Sequence, residues 1–95
     1  MIPLSAAARL DAILRALADP TRRELYRLIG SRPGQSTAGL VAQVGGMTRW
    51  GVMKHLGVLR EAGLIQTLPE GRQRRHYAEA AALEPLSRWL ASAEW

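Results

Sequence analysis

The chain has 95 residues, 47% hydrophobic and 22% charged, enough for one globular core and too few for two, so a single domain over 1–95 is expected. It carries twelve Arg and one Lys against eight acids, a net charge of +5, and no cysteine, which excludes disulfides, thiolate metal sites and thiol redox switches. No apolar run approaches the ~20 residues of a membrane span, and the N-terminus lacks the pattern of a signal peptide, so a soluble, cytoplasmic protein with no membrane partner is expected.

The charge is unevenly placed. Residues 1–48 set six Arg against Asp11, Asp19 and Glu24. Residues 49–75 set Arg49, Lys54, Arg60, Arg72, Arg74 and Arg75 against only Glu61 and Glu70, whereas 76–95 hold Arg88 against Glu79, Glu84 and Glu94. A basic middle with an acidic tail suits a surface that meets a polyanion. A solvated basic face is the plainer alternative.

Leu10, Ile13, Leu14 and Leu17 recur at i, i+3, i+4 and i+7 and predict an amphipathic helix over about 5–18. Asp19-Pro20 restarts the chain with an N-cap and a first-turn proline. The second helix turns Leu25, Leu28 and Ile29 inward and ends at Gly30. Ser31–Gln35 reads as a loop. Ser36 or Thr37 can cap a short third helix with Leu40, Val41 and Val44, which Gly45-Gly46 breaks. Thr48 caps a fourth helix, closed near Gly63, whose inward stripe is Val52, Leu56 and Leu59. A short helix, a glycine turn and a second capped helix make a helix-turn-helix pattern.

Leu64–Leu68 then reads as a short strand, Leu68-Pro69-Glu70-Gly71 as a type I turn, and Arg72–Ala78 as the returning strand. A last helix over about 80–92 presents Leu83, Leu86, Trp89 and Leu90 on one face. The expected fold is mainly α with a small β-hairpin, in the order α-α-α-α-β-β-α: a winged helix-turn-helix.

Ala18-Asp19-Pro20-Thr21-Arg22-Arg23, Lys54-His55-Leu56, Val58-Leu59-Arg60-Glu61-Ala62-Gly63-Leu64-Ile65 and Glu70-Gly71-Arg72, in that order, resemble the ArsR-type (arsenical-resistance repressor) winged-helix regulators over about residues 10–90. The resemblance implies a homodimer formed by the first and last helices, bound to double-stranded DNA as a transcriptional regulator and repressor. The two apolar stripes, Leu10/Ile13/Leu14/Leu17 and Leu83/Leu86/Trp89/Leu90, agree with such an interface, since a core this small hides little. A two-fold dimer would read an inverted repeat with half-sites ~34–36 Å apart.

At ~100° per residue, Trp50, Lys54, Gly57 and Glu61 lie opposite the inward stripe of the fourth helix, with Arg49 and Met53 on a flank. Residues at the start of a recognition helix reach base edges. Arg49 suits guanine O6/N7, Lys54 a guanine or a phosphate, and Trp50 and Met53 the thymine methyl. Thr48 leaves helix N–H groups facing a phosphate. Trp50 could equally fold back on the third helix, Met53 could pack, and His55 could support the helix rather than touch DNA. Gly51 and Gly57 each cost the helix ~1 kcal/mol relative to Ala; Gly51 would allow a close approach to the preceding helix, and at Gly57 the resemblance implies a missing basic contact. Arg72, Arg74 and Arg75 would grip phosphates or a minor groove, with alternation separating Arg72 and Arg74 from Arg75.

Metal-sensing relatives use Cys pairs before the recognition helix or Asp/His sets on the last helix. Neither is present, so no metal and no cofactor is expected, and the effector stays open. No nucleophile with a base, paired acids or phosphate-binding loop suggests an enzyme. A winged-helix adaptor that binds protein instead of DNA would lack a basic recognition helix and wing, and RNA binding would call for aromatic pairs on a sheet.

Overall fold

Residues 5–92 and 94 are described by the computed structural model. Their elements run α1 (Ala6–Leu17), α2 (Pro20–Ser31), β1 (Gln35–Ser36), α3 (Thr37–Val44), α4 (Arg49–Glu61), β2 (Ile65–Glu70), β3 (Gln73–Ala78) and α5 (Glu84–Ser92). Each of the first four helices starts at a capping oxygen, which accepts from a backbone N–H that the helix itself cannot pair. Ser5 Oγ accepts from Ala8 N at 3.1 Å and Ser36 Oγ from Gly39 N at 3.1 Å. Asp19 Oδ1 accepts from Thr21 N at 2.8 Å and Arg22 N at 3.1 Å. The bond from Arg22 N, more than any other contact, holds the Asp19 carboxyl below its ordinary range.

The α1–α2 junction is closed from both sides. Arg22 Nε donates to Ala16 O at 2.6 Å, its Nη2 to Arg15 O at 3.3 Å, and Arg23 Nη1 to Leu17 O at 2.7 Å. The carbonyls of Ala16 and Leu17 at the end of α1 thus accept from the first turn of α2, and Arg15 O accepts from it in addition to Ala18 N. Beneath the junction lies one cluster of buried apolar side chains: Ile13 and Ala16 from α1, Leu25 and Ile29 from α2, Leu40 from α3, Val52, Leu56 and Leu59 from α4, and Leu64 and Ile65. The inward stripe expected for α4 is wholly buried. Leu28, Val41 and Val44 pack against the cluster from its edge.

Ile13 departs from expectation. It belongs to this core at 2% exposure, while Leu14 beside it is 46% exposed. Periodicity puts both on one broad stripe, but the elements packed on α1, chiefly α5 and α2, cover only one edge of it.

The sheet also differs from a lone hairpin. Gln35–Ser36, expected as loop and cap, pairs antiparallel with β3, giving the strand order β1-β3-β2. Gln35 is buried because its amide donates to the Leu28 carbonyl and to Arg32 O at 3.1 Å, while its Oε1 accepts from Gln43 Nε2 at 2.7 Å.

The hairpin turn lies two residues later than expected. Glu70 pairs with Gln73, which leaves Gly71-Arg72 as a two-residue turn with Gly71 at φ +61°. A positive first φ is what tight hairpins require. Pro69 therefore stands within β2 opposite Arg74, tolerated because β2 is an edge strand. Helix α5 likewise begins at Glu84 rather than near 80, with Pro85 in its first turn, where a missing N–H costs nothing.

His76, on the central strand, is 2% exposed and joins three elements. Its Nε2 lies 2.8 Å from Thr37 Oγ1 at the start of α3, and its Nδ1 lies 2.9 Å from Thr67 Oγ1 on β2. Because Ser36 caps α3, the Thr37 hydroxyl is free to make this bond. Burial, then the positive charges of Arg60 and Arg74, push the His76 pKa below its ordinary value of 6.5. The folded protein thus favours neutral His76, whereas the unfolded chain takes up a proton near pH 6.5. Stability from this source is complete above that pH and declines as pH falls below it. Urea unfolding from pH 7.5 to 5.5 should show this decline in the native protein and a shallower one in His76→Gln.

Candidate nucleic-acid interface

Helices α3 and α4 are separated by Gly45, at φ +61°, and Gly46, at φ +64°. Two consecutive residues in the left-handed region turn the chain sharply, and only glycine adopts it without steric cost. Thr48 Oγ1 then accepts from Gly51 N at 3.0 Å and starts α4. A Cβ on Gly51 would stand 3.1 Å from Met47 Cγ and 3.3 Å from Thr48 Oγ1. The close approach at Gly51 is therefore to the turn residues and the cap. At Gly57 a Cβ would meet only Arg60 Nη2, at 3.8 Å.

Burial of Val52, Leu56 and Leu59 turns the opposite side of α4 to solvent. Trp50 is 68% exposed and Met53 48%. Neither folds back onto the core, which resolves the alternative of Trp50 packing on α3. Arg49 and Lys54 are exposed on the same turns. Lys54 Nζ sits 4.4 Å from the centroid of the Trp50 ring, a cation–π contact between residues i and i+4.

His55 behaves differently from its neighbours. It is half-buried, and its Nδ1 accepts from Arg22 Nη1 at 3.4 Å; Arg can only donate. Arg22 thus contacts α4 while closing the end of α1. The sequence gives no periodicity that marks this role; its only signal is the Ala18–Arg23 segment, read there as a helix start and as part of the family resemblance.

On the wing, Arg72 lies in the turn and Arg74 is exposed on β3. Arg75 is partly buried: its Nη1 donates to Gly34 O at 3.2 Å and its Nε lies 3.6 Å from Glu70 Oε2. Alternation sets Arg75 and Tyr77 on one face and Arg74 and His76 on the other, while Arg72, in the turn, belongs to neither face. Among the described residues the ion pairs are Arg27–Glu24, Arg75–Glu70 and Arg88–Glu84. Arg49, Lys54, Arg72 and Arg74 enter none of them, so the start of α4 and the wing tip present uncompensated positive charge.

The remaining expected residues gather between α1 and α5. Leu17, Leu83 and Leu86 are half-buried against the core, Leu10 is half-buried, and Leu14, Trp89 and Leu90 are 46–48% exposed. A groove of about 660 Å³ separates the two helices, walled by Leu10, Ala82, Pro85 and Trp89 with Arg9 and Arg88 at its rim. Among the described residues no three His, Asp or Glu side chains cluster as metal ligands. His76 has both ring nitrogens engaged by threonines, and His55 faces Arg22.

Comparison with known proteins places these observations in context. A helix-turn-helix domain model matches residues 17–67. The HTH-type transcriptional regulator CmtR of Mycobacterium tuberculosis is 48% identical over 75 residues, covering 76% of this chain and 57% of that regulator. The chain thus spans little more than half the length of that relative. The transcriptional repressor SdpR of Bacillus subtilis is 25% identical over 81 residues, covering 85% of this chain and 88% of that protein. The solved structure of an ArsR-like transcriptional regulator from Rhodococcus sp. superimposes with a TM-score of 0.79 at 32% identity, covering 93% of this chain and 81% of that one.

The Arg22 contacts lead to a stability prediction. Arg22→Met keeps the aliphatic stem but removes the donor that Ala16 O and His55 Nδ1 share, while Arg15 O keeps its bond from Ala18 N. It should lower the unfolding free energy by about 1–2 kcal/mol, measured by urea denaturation.

Proposed function

The chain belongs to the ArsR family of winged helix-turn-helix transcriptional regulators, and from that premise we propose that it binds double-stranded DNA by sequence, as a homodimer on an inverted-repeat operator, and represses transcription. The observation that carries the DNA reading is the exposed positive charge, outside every ion pair among the described residues, of Arg49 and Lys54 at the start of α4 and of Arg72 and Arg74 on the wing. In this reading Arg49 donates to guanine O6 and N7 in the major groove. The free N–H groups beside the Thr48 cap face a phosphate, and Arg72 and Arg74 hold phosphates or enter a minor groove. Arg75 and His55 act mainly from within the protein, Arg75 by bracing the wing against Gly34 and His55 by meeting Arg22. Repression follows the relative SdpR, a transcriptional repressor.

The dimer reading rests on Leu14, Trp89 and Leu90, each about half exposed, and on the groove between α1 and α5. A second copy packed there by a two-fold axis would cover these side chains and set two α4 helices about one turn of duplex apart. Ile13 lies inside the monomer's own core and would act only through Leu10 and Leu14 beside it. The whole is read as one winged-helix domain working in the cytoplasm; among the described residues no helix is long and apolar enough to cross a membrane. The relatives are named for regulation and not for catalysis. A winged-helix protein adaptor would have no use for exposed cations, free of ion pairs, at both the recognition helix and the wing.

Fluorescence anisotropy with DNA from upstream of the protein's own gene, against scrambled DNA at several salt concentrations, tests the proposal. Preference for the native fragment with affinity that falls as salt rises supports it; equal, weak binding to both at every salt concentration counts against it. Arg49→Ala should weaken specific binding by about 1–3 kcal/mol and relax one base preference. Trp89→Arg should sediment as a monomer and lose operator binding, while a variant that sediments as a dimer would move the interface elsewhere.

A further inference from the structure

The outward face of α4 carries an apolar surface that the positive charges around it do not explain. Trp50 is 68% exposed and Met53 48%, although both stand within a turn of Arg49 and Lys54. A large ring exposed on the most basic part of the chain suits an apolar counterpart that also lies in a negative field. The major groove offers one such group: among the four bases only thymine presents a methyl there, flanked by phosphates. Charge complementarity thus favours duplex DNA over a protein partner for this patch.

The contact between Lys54 and Trp50 adds a distance. The ammonium is held 4.4 Å from the ring centroid, so the two groups reach base pairs no more than about one step, ~3.4 Å, apart. Thymine and guanine never share a Watson–Crick base pair, so a ring on one and a cation on the other address neighbouring steps. The cation–π contact also orients a long side chain before DNA arrives, which reduces the ordering cost on binding.

We propose that Trp50 and Lys54 form one reading unit, in which the indole takes a thymine 5-methyl group and the ammonium donates to N7 or O6 of a guanine at the adjacent step. This rests on the DNA-binding reading above and specifies the base step that the recognition helix selects.

The test starts from duplexes selected by the full-length protein from a random-sequence pool. In the selected site each thymine is replaced in turn by deoxyuridine, which removes only the methyl, and each neighbouring guanine by 7-deazaguanine, which removes only N7. At one thymine, the native protein should lose about fourfold in affinity, the loss expected for one methyl returned to water. Trp50→Ala, a change at an exposed position that leaves the core intact, should bind the thymine and uracil duplexes equally. Lys54→Ala should lose the response to 7-deazaguanine at the next step. Native protein indifferent to uracil at every position, or Trp50→Ala that keeps the full thymine preference, overturns the proposal while DNA binding stands. Failure to enrich any sequence overturns the DNA reading itself, and this inference with it.

Discussion

A buried imidazole joins the two parts of the molecule that would have to meet DNA together. His76 lies on the central strand and engages Thr37, the first residue of α3, through one ring nitrogen and Thr67, on β2, through the other. A wing attached only by its own hairpin would hang from the end of α4 on a two-stranded ribbon, which is marginal in water. With β1 on the other side of β3 and His76 bonded across it, the wing and the helix-turn-helix share one buried frame. The interior favours neutral imidazole, and both threonine hydroxyls can donate or accept, so either tautomer is satisfied.

Arg22 plays the matching part at the opposite end of the helical layer. One guanidinium reaches the carbonyls of Arg15 and Ala16 and the ring of His55. The terminus of α1, the start of α2 and the middle of α4 are thereby referred to a single side chain. The residues offered to solvent on α4 keep their orientation because those beneath them are held from three directions: Val52, Leu56 and Leu59 in the core, Thr48 at the cap and His55 against Arg22. Precise placement of a reading surface depends on such support.

Much of this was legible in the sequence, and the reasons are local. The i, i+4, i+7 spacing of Val52, Leu56 and Leu59 defines the buried side of α4 and sets Trp50 and Lys54 opposite it, but only the fold shows Trp50 and Met53 exposed rather than packed. Capping residues marked the helix starts for the same reason, since each cap acts within three residues of itself. The features that escaped depend on distant partners. Two-residue β1 has no periodicity and exists only through its register with β3, 40 residues away. The turn at Gly71-Arg72 was masked by Pro69, which usually breaks a strand but is tolerated on this edge. Ile13 and Leu14 share a stripe, and only the packing of α5 and α2 on α1 separates a core residue from a surface one. Alternation separated Arg75 from Arg72 and Arg74, but its partners, Gly34 and Glu70, come from distant or turn positions that the strand pattern does not mark.

The central claim is that this surface reads DNA by sequence and that two copies do so together. The most direct measurement is selection of duplexes from a random-sequence pool by the full-length protein, followed by footprinting of the winners. The account predicts an inverted repeat whose half-site centres lie about one helical turn apart, protected on one face of the duplex. Enrichment of a single unrepeated site would contradict the two-fold arrangement, and no enrichment at all would contradict sequence-specific binding.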